Sequence, residues 1–111
     1  METIDIFELA LLEKCDKFIK DGGTIVRGVF NGVRCRCPIG ALSYSGDMNY
    51  CSYYEEVNKL GISSENMWAF VYGVDSTNKT PVPTHYVNEI LSYYNLGIKF
   101  RKHYIEGEKQ W

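Results

Sequence analysis

A predominantly helical α+β fold, with four to five helices packed on one β-hairpin, is what the sequence predicts, and three observations predict it. Apolar residues recur at helical spacing over 3–21, 50–60 and 84–104. A single short segment, 24–37, alternates instead on a period of two around Asn31-Gly32. Glycine and proline punctuate the joints between these stretches.

The first helix is expected over 3–21. Ile4, Phe7, Leu11, Cys15 and Phe18 form one stripe, widened by Leu12 and Ile19, and Gly22-Gly23 ends it because glycine accepts a left-handed cap. Ile6, Leu9 and Ala10 fall beyond that stripe. Either this half of the helix is buried on two sides or it meets a second copy of the chain, which leaves a homo-oligomer open.

Residues 24–37 are expected to form the hairpin, since both residues of an Asn-Gly pair tolerate positive φ. In that register Val26, Gly28, Phe30, Val33, Cys35 and Cys37 share an apolar face. Ile25, Arg27, Val29, Arg34 and Arg36 share the other. Pro38 suits the first turn of a short helix at about 38–43, and a loop follows at 44–49.

Tyr50, Tyr53, Tyr54, Val57 and Leu60 place a helix over 50–60, with Gly61 as its stop. Ser63 caps a further segment over 64–72, with Ile62 and Met67 spaced as a hydrophobic staple; periodicity leaves helix and buried strand both open there. The polar stretch 73–83, with Pro81 and Pro83, is expected to be a loop. Thr84 is expected to cap the last long helix, whose stripe is Tyr86, Val87, Ile90, Leu91, Tyr94 and Ile98, with Asn95-Leu96-Gly97 as a site for a kink. From about 107 the tail is polar and expected to fray apart from Trp111.

A chain of 111 residues with 45% hydrophobic and 23% charged residues reads as one domain, 1–111, with one core. A net charge of -2 gives no global attraction to nucleic acid or to anionic membrane, so electrostatic recognition must come from a local patch. No apolar run approaches the ~20 residues that span a bilayer, so no membrane partner is expected. The acidic start, Glu2 to Asp5, lacks the basic opening of a signal peptide. Cytoplasmic placement is therefore expected, with Cys15, Cys35, Cys37 and Cys51 as reduced thiols.

The strongest candidate for binding is the arginine face. Arg27 and Arg36 stand directly opposite in the expected register and Arg34 is diagonal to Arg27. Like charges there cost stability mildly, a cost easier to understand if an anion binds, because guanidinium forks suit phosphate and carboxylate. The leading reading is nonetheless a solvated face whose arginines pair with nearby carboxylates, with an anionic partner as the alternative. Tyr53, among nine tyrosines, is expected to join the contact surface. Asp75, beside the polar loop, would either bind a ligand or cap a turn.

Cys37, where a strand meets Pro38-Ile39-Gly40-Ala41, holds a position that can activate a thiol, with His85 or His103 as base and Asp75 to orient it. No family-specific cysteine-enzyme signature surrounds it and its face is apolar, so a buried structural thiol is the expectation and catalysis the alternative. Cys35-x-Cys37 lacks the spacing of a zinc knuckle, and no glycine-rich phosphate loop or serine nucleophile elbow occurs, so neither a metal nor a cofactor is expected.

Three segments in order, Cys37-Pro38-Ile39-Gly40-Ala41-Leu42, Trp68 to Asp75, and Leu96 to Tyr104, resemble elements of small uncharacterised proteins of bacteriophages and bacterial mobile elements. Val74 departs from that pattern, which carries an aromatic there. The resemblance implies a context rather than an activity: a small accessory protein that binds a host factor. In the same segments Gly40 and Gly97 would allow close helix approach, and Asp75 and Arg101 would pair. The functional expectation is a cytoplasmic binding protein that modulates or inhibits a host macromolecule through arginine and tyrosine. The alternatives are a pocket for a small anionic ligand, such as a nucleotide, and a cysteine-dependent enzyme.

Overall fold

The computed structural model describes residues 2–30, 32–46 and 53–111, and the fold is helical α+β. Its elements run α1 (Thr3–Lys20), β1 (Thr24–Ile25), β2 (Cys35–Arg36), α2 (Pro38–Ala41), α3 (Tyr53–Lys59), α4 (Ser64–Asp75) and α5 (Glu89–Phe100), and α5 continues into a π-helical turn at Arg101–Ile105. The chain divides into two compact units, Met1–Ile62 and Ser63–Trp111.

In the first unit α1 buries Phe7, Leu11, Cys15 and Phe18, the stripe its periodicity marks. Gly22 takes the left-handed conformation (φ 99°) just past its end. Ile6 and Leu9 are exposed, so this half of α1 is not buried on two sides. α1 packs on α2 and β1.

The expected hairpin is corrected. β1 and β2 pair in parallel, with Thr24 beside Cys35 and Ile25 beside Arg36. One reversal of the chain makes strands antiparallel; here the described residues of the connection bend at Arg27–Gly28 and Phe30 and again at Val33–Arg34, and the second strand runs with the first. Gly28 supplies the first bend at φ 70°. Gly32 serves the second, because a side chain there would meet the Cys35 carbonyl oxygen. Asn31, half of the expected turn, lies outside the described residues, as do Tyr50, Cys51 and positions 47–49 of the expected loop.

In the second unit the segment left open between helix and strand is helical and runs on to Asp75. Ser63 caps it, its hydroxyl accepting from the Asn66 backbone N–H at 3.2 Å. Thr84 does not cap the last helix. α5 begins five residues later, behind Asn88 at φ 56°, and Tyr86 and Val87 lie before it. The turn closed by the Tyr86 N–H on the Pro83 carbonyl uses the residues that periodicity had assigned to the helix. There is no break in α5 at Asn95-Leu96-Gly97. Gly97 instead lies against α4: a methyl group there would strike the Phe70 carbonyl oxygen, and one on Gly73 would strike that of Tyr94.

The tail folds back rather than fraying. Gly107 turns at φ 73°, the Glu108 N–H reaches the Lys102 carbonyl at 2.7 Å, and Trp111 sets its ring 4.8 Å from that of Phe100. Lys99 holds its ammonium 4.4 Å from the Trp111 ring.

Candidate binding sites

The packing of the strand pair decides where the arginines go. Ile25 and Arg36 share a face, as expected, but that face is the buried one, and Thr24 and Cys35 are exposed. The expected face of three arginines is thereby broken: Arg27 and Arg34 stand in solvent and Arg36 is fully buried. Cys35, expected inside, is exposed.

Arg36 is held by backbone and rings. Its Nε donates to the Gly32 carbonyl at 3.0 Å and one Nη to the Gly40 carbonyl at 3.2 Å. The guanidinium lies 5.5 Å from the Phe18 ring and 5.6 Å from that of Tyr44. Its other Nη has no hydrogen-bond partner, and no carboxylate among the described residues pairs with it. Tyr44 in turn donates its hydroxyl to Asp21 at 2.6 Å. That bond holds the Asp21 carboxyl below its ordinary value, helped by Lys17 and Lys20, and pushes the Tyr44 hydroxyl up, as does burial.

What remains of the predicted surface lies on the connection between the strands. Arg27 and Arg34 form no ion pair among the described residues. Phe30, on the same connection, stacks on Tyr53 at 5.0 Å, and Tyr53 meets Tyr54 at 4.5 Å. Tyr54 and Val33 are about half exposed, at 46% and 52%. Two guanidinium groups without an ion pair among the described residues thus share the strand connection with Phe30, whose ring stacks on the start of α3, a composition that protein interfaces favour.

Cys37 is buried, at the N-terminal boundary of the four-residue α2, and its backbone N–H donates to Val29 at 2.6 Å. Cys15 is buried beside it, and burial, with Asp16 and Cys37, pushes its thiol well up. Burial of Cys37 agrees with a structural thiol. His85 and Asp75 belong to the second unit, both exposed, and His103 accepts a hydrogen bond from the Gln110 N–H at 3.1 Å. Among the described residues no three His, Cys, Asp or Glu side chains converge as metal ligands, and no helix is long and apolar enough to cross a membrane.

The second unit holds a pocket of about 250 Å³ at the C-terminal end of α4. Tyr72, Asp75 and Ser76 come from that end, Thr80, Pro81 and Pro83 from the loop after it, and Tyr94 from α5. Arg101 ties Ser76, one of the lining residues, to the last helix. Its Nη1 donates to the Ser76 carbonyl at 2.8 Å and hydroxyl at 2.9 Å, its Nη2 to the Asn78 side chain at 2.9 Å, and its Nε to Glu106. Arg101 therefore does tie the last helix to the loop after α4, and a carboxylate stands against it, that of Glu106. The π-helical turn makes this possible: the Glu106 N–H bonds the Arg101 carbonyl at 3.0 Å, so residues five apart share a face.

Sequence reasoning singled out Asp75 and the proline loop but not Tyr72 or Tyr94 as pocket walls. Tyr94 was visible only as part of a helical stripe, and the extension of α4 that carries Tyr72 to the loop was not visible at all. The pocket's lining has one carboxylate and no basic side chain, a poor match for a phosphate. Comparison of the chain with family models, with curated proteins and with solved structures finds no match.

Proposed function

We propose that this chain is a non-catalytic binding protein that modulates a macromolecular partner through the connection between β1 and β2, with Arg27 and Arg34 beside Phe30, Tyr53 and Tyr54. The observation that carries this reading is the pair of exposed guanidinium groups without carboxylate partners among the described residues, on the same strand connection as Phe30, whose ring stacks on Tyr53. Arginine and tyrosine contribute most when they are buried against a partner, and unpaired positive charge speeds encounter with an acidic surface. A net charge of -2 favours an acidic patch on a protein over a nucleic acid as that surface. The resemblance to bacteriophage and mobile-element proteins supports a bacterial host protein in that role, met in the host cytoplasm.

The test is affinity capture from bacterial lysate with the wild-type chain and with a double variant, Arg27→Glu with Arg34→Glu. Both side chains are exposed, so the variant should keep its circular dichroism and its Tm. The expected result is one stoichiometric protein that binds the wild type, elutes as salt rises, and is lost with the variant. Equal capture by both chains, or a nucleic acid as the captured species, would overturn the reading.

A further inference from the structure

We propose that α1 packs antiparallel against α1 of a second copy of this chain, through the face that carries Ile6 and Leu9. The sequence allows two reasons for apolar residues beyond the buried stripe, burial on two sides or a second copy. The first is excluded, because Ile6 is 43% and Leu9 54% exposed. Glu2, Ile6, Leu9, Glu13 and Lys20 follow at steps of four, three, four and seven residues, which keeps them on one line of a helix. All five are exposed, and their line runs opposite Phe7, Leu11, Cys15 and Phe18, so it faces solvent while α1 stays docked on α2 and β1.

The charges along α1 select what covers that line. Every charged residue from Glu2 to Glu13 is acidic, and all three lysines, Lys14, Lys17 and Lys20, come later. The helix dipole favours acids only in the first turn and bases only in the last, yet Glu8 and Glu13 lie well inside the helix. A uniformly acidic or basic partner would meet like charge over one half of α1. A second copy related by a two-fold axis meets opposite charge over both halves. Glu2 and Lys20 are eighteen residues apart, about five turns, so each Glu2 stands over the Lys20 of the other copy. Neither has an ion pair among the described residues, whereas Lys17 keeps its own with Asp21 at 3.7 Å. The two-fold axis then passes midway between Glu2 and Lys20, beside Leu9, and the two leucines meet near it. One helix face per copy is less than the roughly 1,200–2,000 Å² of a standard interface, so the pair is a weak one.

The full chain is followed by sedimentation velocity from about 10 µM to about 1 mM. The expected mass rises with concentration from the 12.8 kDa of one copy toward twice that, and less steeply as salt is added. Leu9→Ser should weaken the association about tenfold and leave the circular dichroism unchanged, since Leu9 is exposed. Lys20→Glu should weaken it severalfold. Adding Glu2→Lys to Lys20→Glu should restore the parent affinity, because the two-fold sets reversed charge against reversed charge. A mass of 12.8 kDa at every concentration, a dimer that Leu9→Ser leaves unchanged, or a double variant no tighter than Lys20→Glu alone would overturn the proposal.

Discussion

Arg36 in the first unit and Arg101 in the second are both fully buried, yet they are buried on different terms. Every nitrogen of Arg101 has a partner, and one partner is a carboxylate. Arg36 has two backbone carbonyls and two aromatic rings, no carboxylate among the described residues, and one Nη without a hydrogen bond. Arg101 joins residues 25 apart, whereas each carbonyl on Arg36 is four residues away. The contrast separates two uses of one side chain. Arg101 is the centre of a polar network that ties the loop after α4 to the last helix. Arg36 is a local clasp that holds the second bend of the strand connection to α2, and it leaves a charge in the interior that its surroundings only partly offset.

Substitutions can break or sharpen that contrast. Arg101→Met strands the Glu106 carboxylate and frees the loop after α4; the expected cost is about 3–5 kcal/mol in urea unfolding, and a cost below about 1 kcal/mol would remove the network's role. Glu106→Gln keeps the shape but leaves Arg101 without its counter-charge, with an expected loss of about 2 kcal/mol by the same measurement. Arg36→Met removes a buried charge that has no anionic partner among the described residues and keeps most of its volume, so stability should stay within about 1 kcal/mol of the parent. If Arg36→Met costs as much as Arg101→Met, the two burials are equivalent and the contrast fails.

The smallest effect concerns the bond beside Arg36. The Asp21 carboxyl is lowered by the Tyr44 hydroxyl, so its stabilisation is present above its unfolded value of about 3.9 and is lost as pH falls through the folded one. The Tyr44 hydroxyl is raised by the same bond, so its stabilisation is present below about 10 and is lost as pH rises through the folded value. Tyr44→Phe should flatten both ends of a Tm-against-pH curve. An unchanged acid limb would mean that the bond does not persist in solution.

The elements that could be read from the sequence are those whose signals are local. α1 follows from a stripe repeated over five turns and from Gly22, and the start of α4 follows from the Ser63 cap. What could not be read depends on distant groups. Strands of two residues are too short for periodicity to set their direction, so parallel and antiparallel pairing looked alike. The burial of Arg36 is decided by Phe18 and Tyr44, which no spacing rule connects to it. The Arg101–Glu106 pair needs a π-helical turn, whereas helical pairing rules count three or four residues. Of the predicted binding residues, Arg27 and Arg34 are exposed and Tyr53 is half-buried, whereas Arg36 is not at the surface at all. Asp75 lines a pocket that only the full length of α4 creates.

The glycine crossing of α4 and α5 bears on how this chain can vary through descent. Gly73 and Gly97 each lie where a single methyl would collide with the other helix's backbone, so mutation at either should be purged while the surface around them drifts. Kin too diverged to align over their whole length would still be expected to keep two hydrogen-sized positions, about twenty-four residues apart, each on the buried side of a helix.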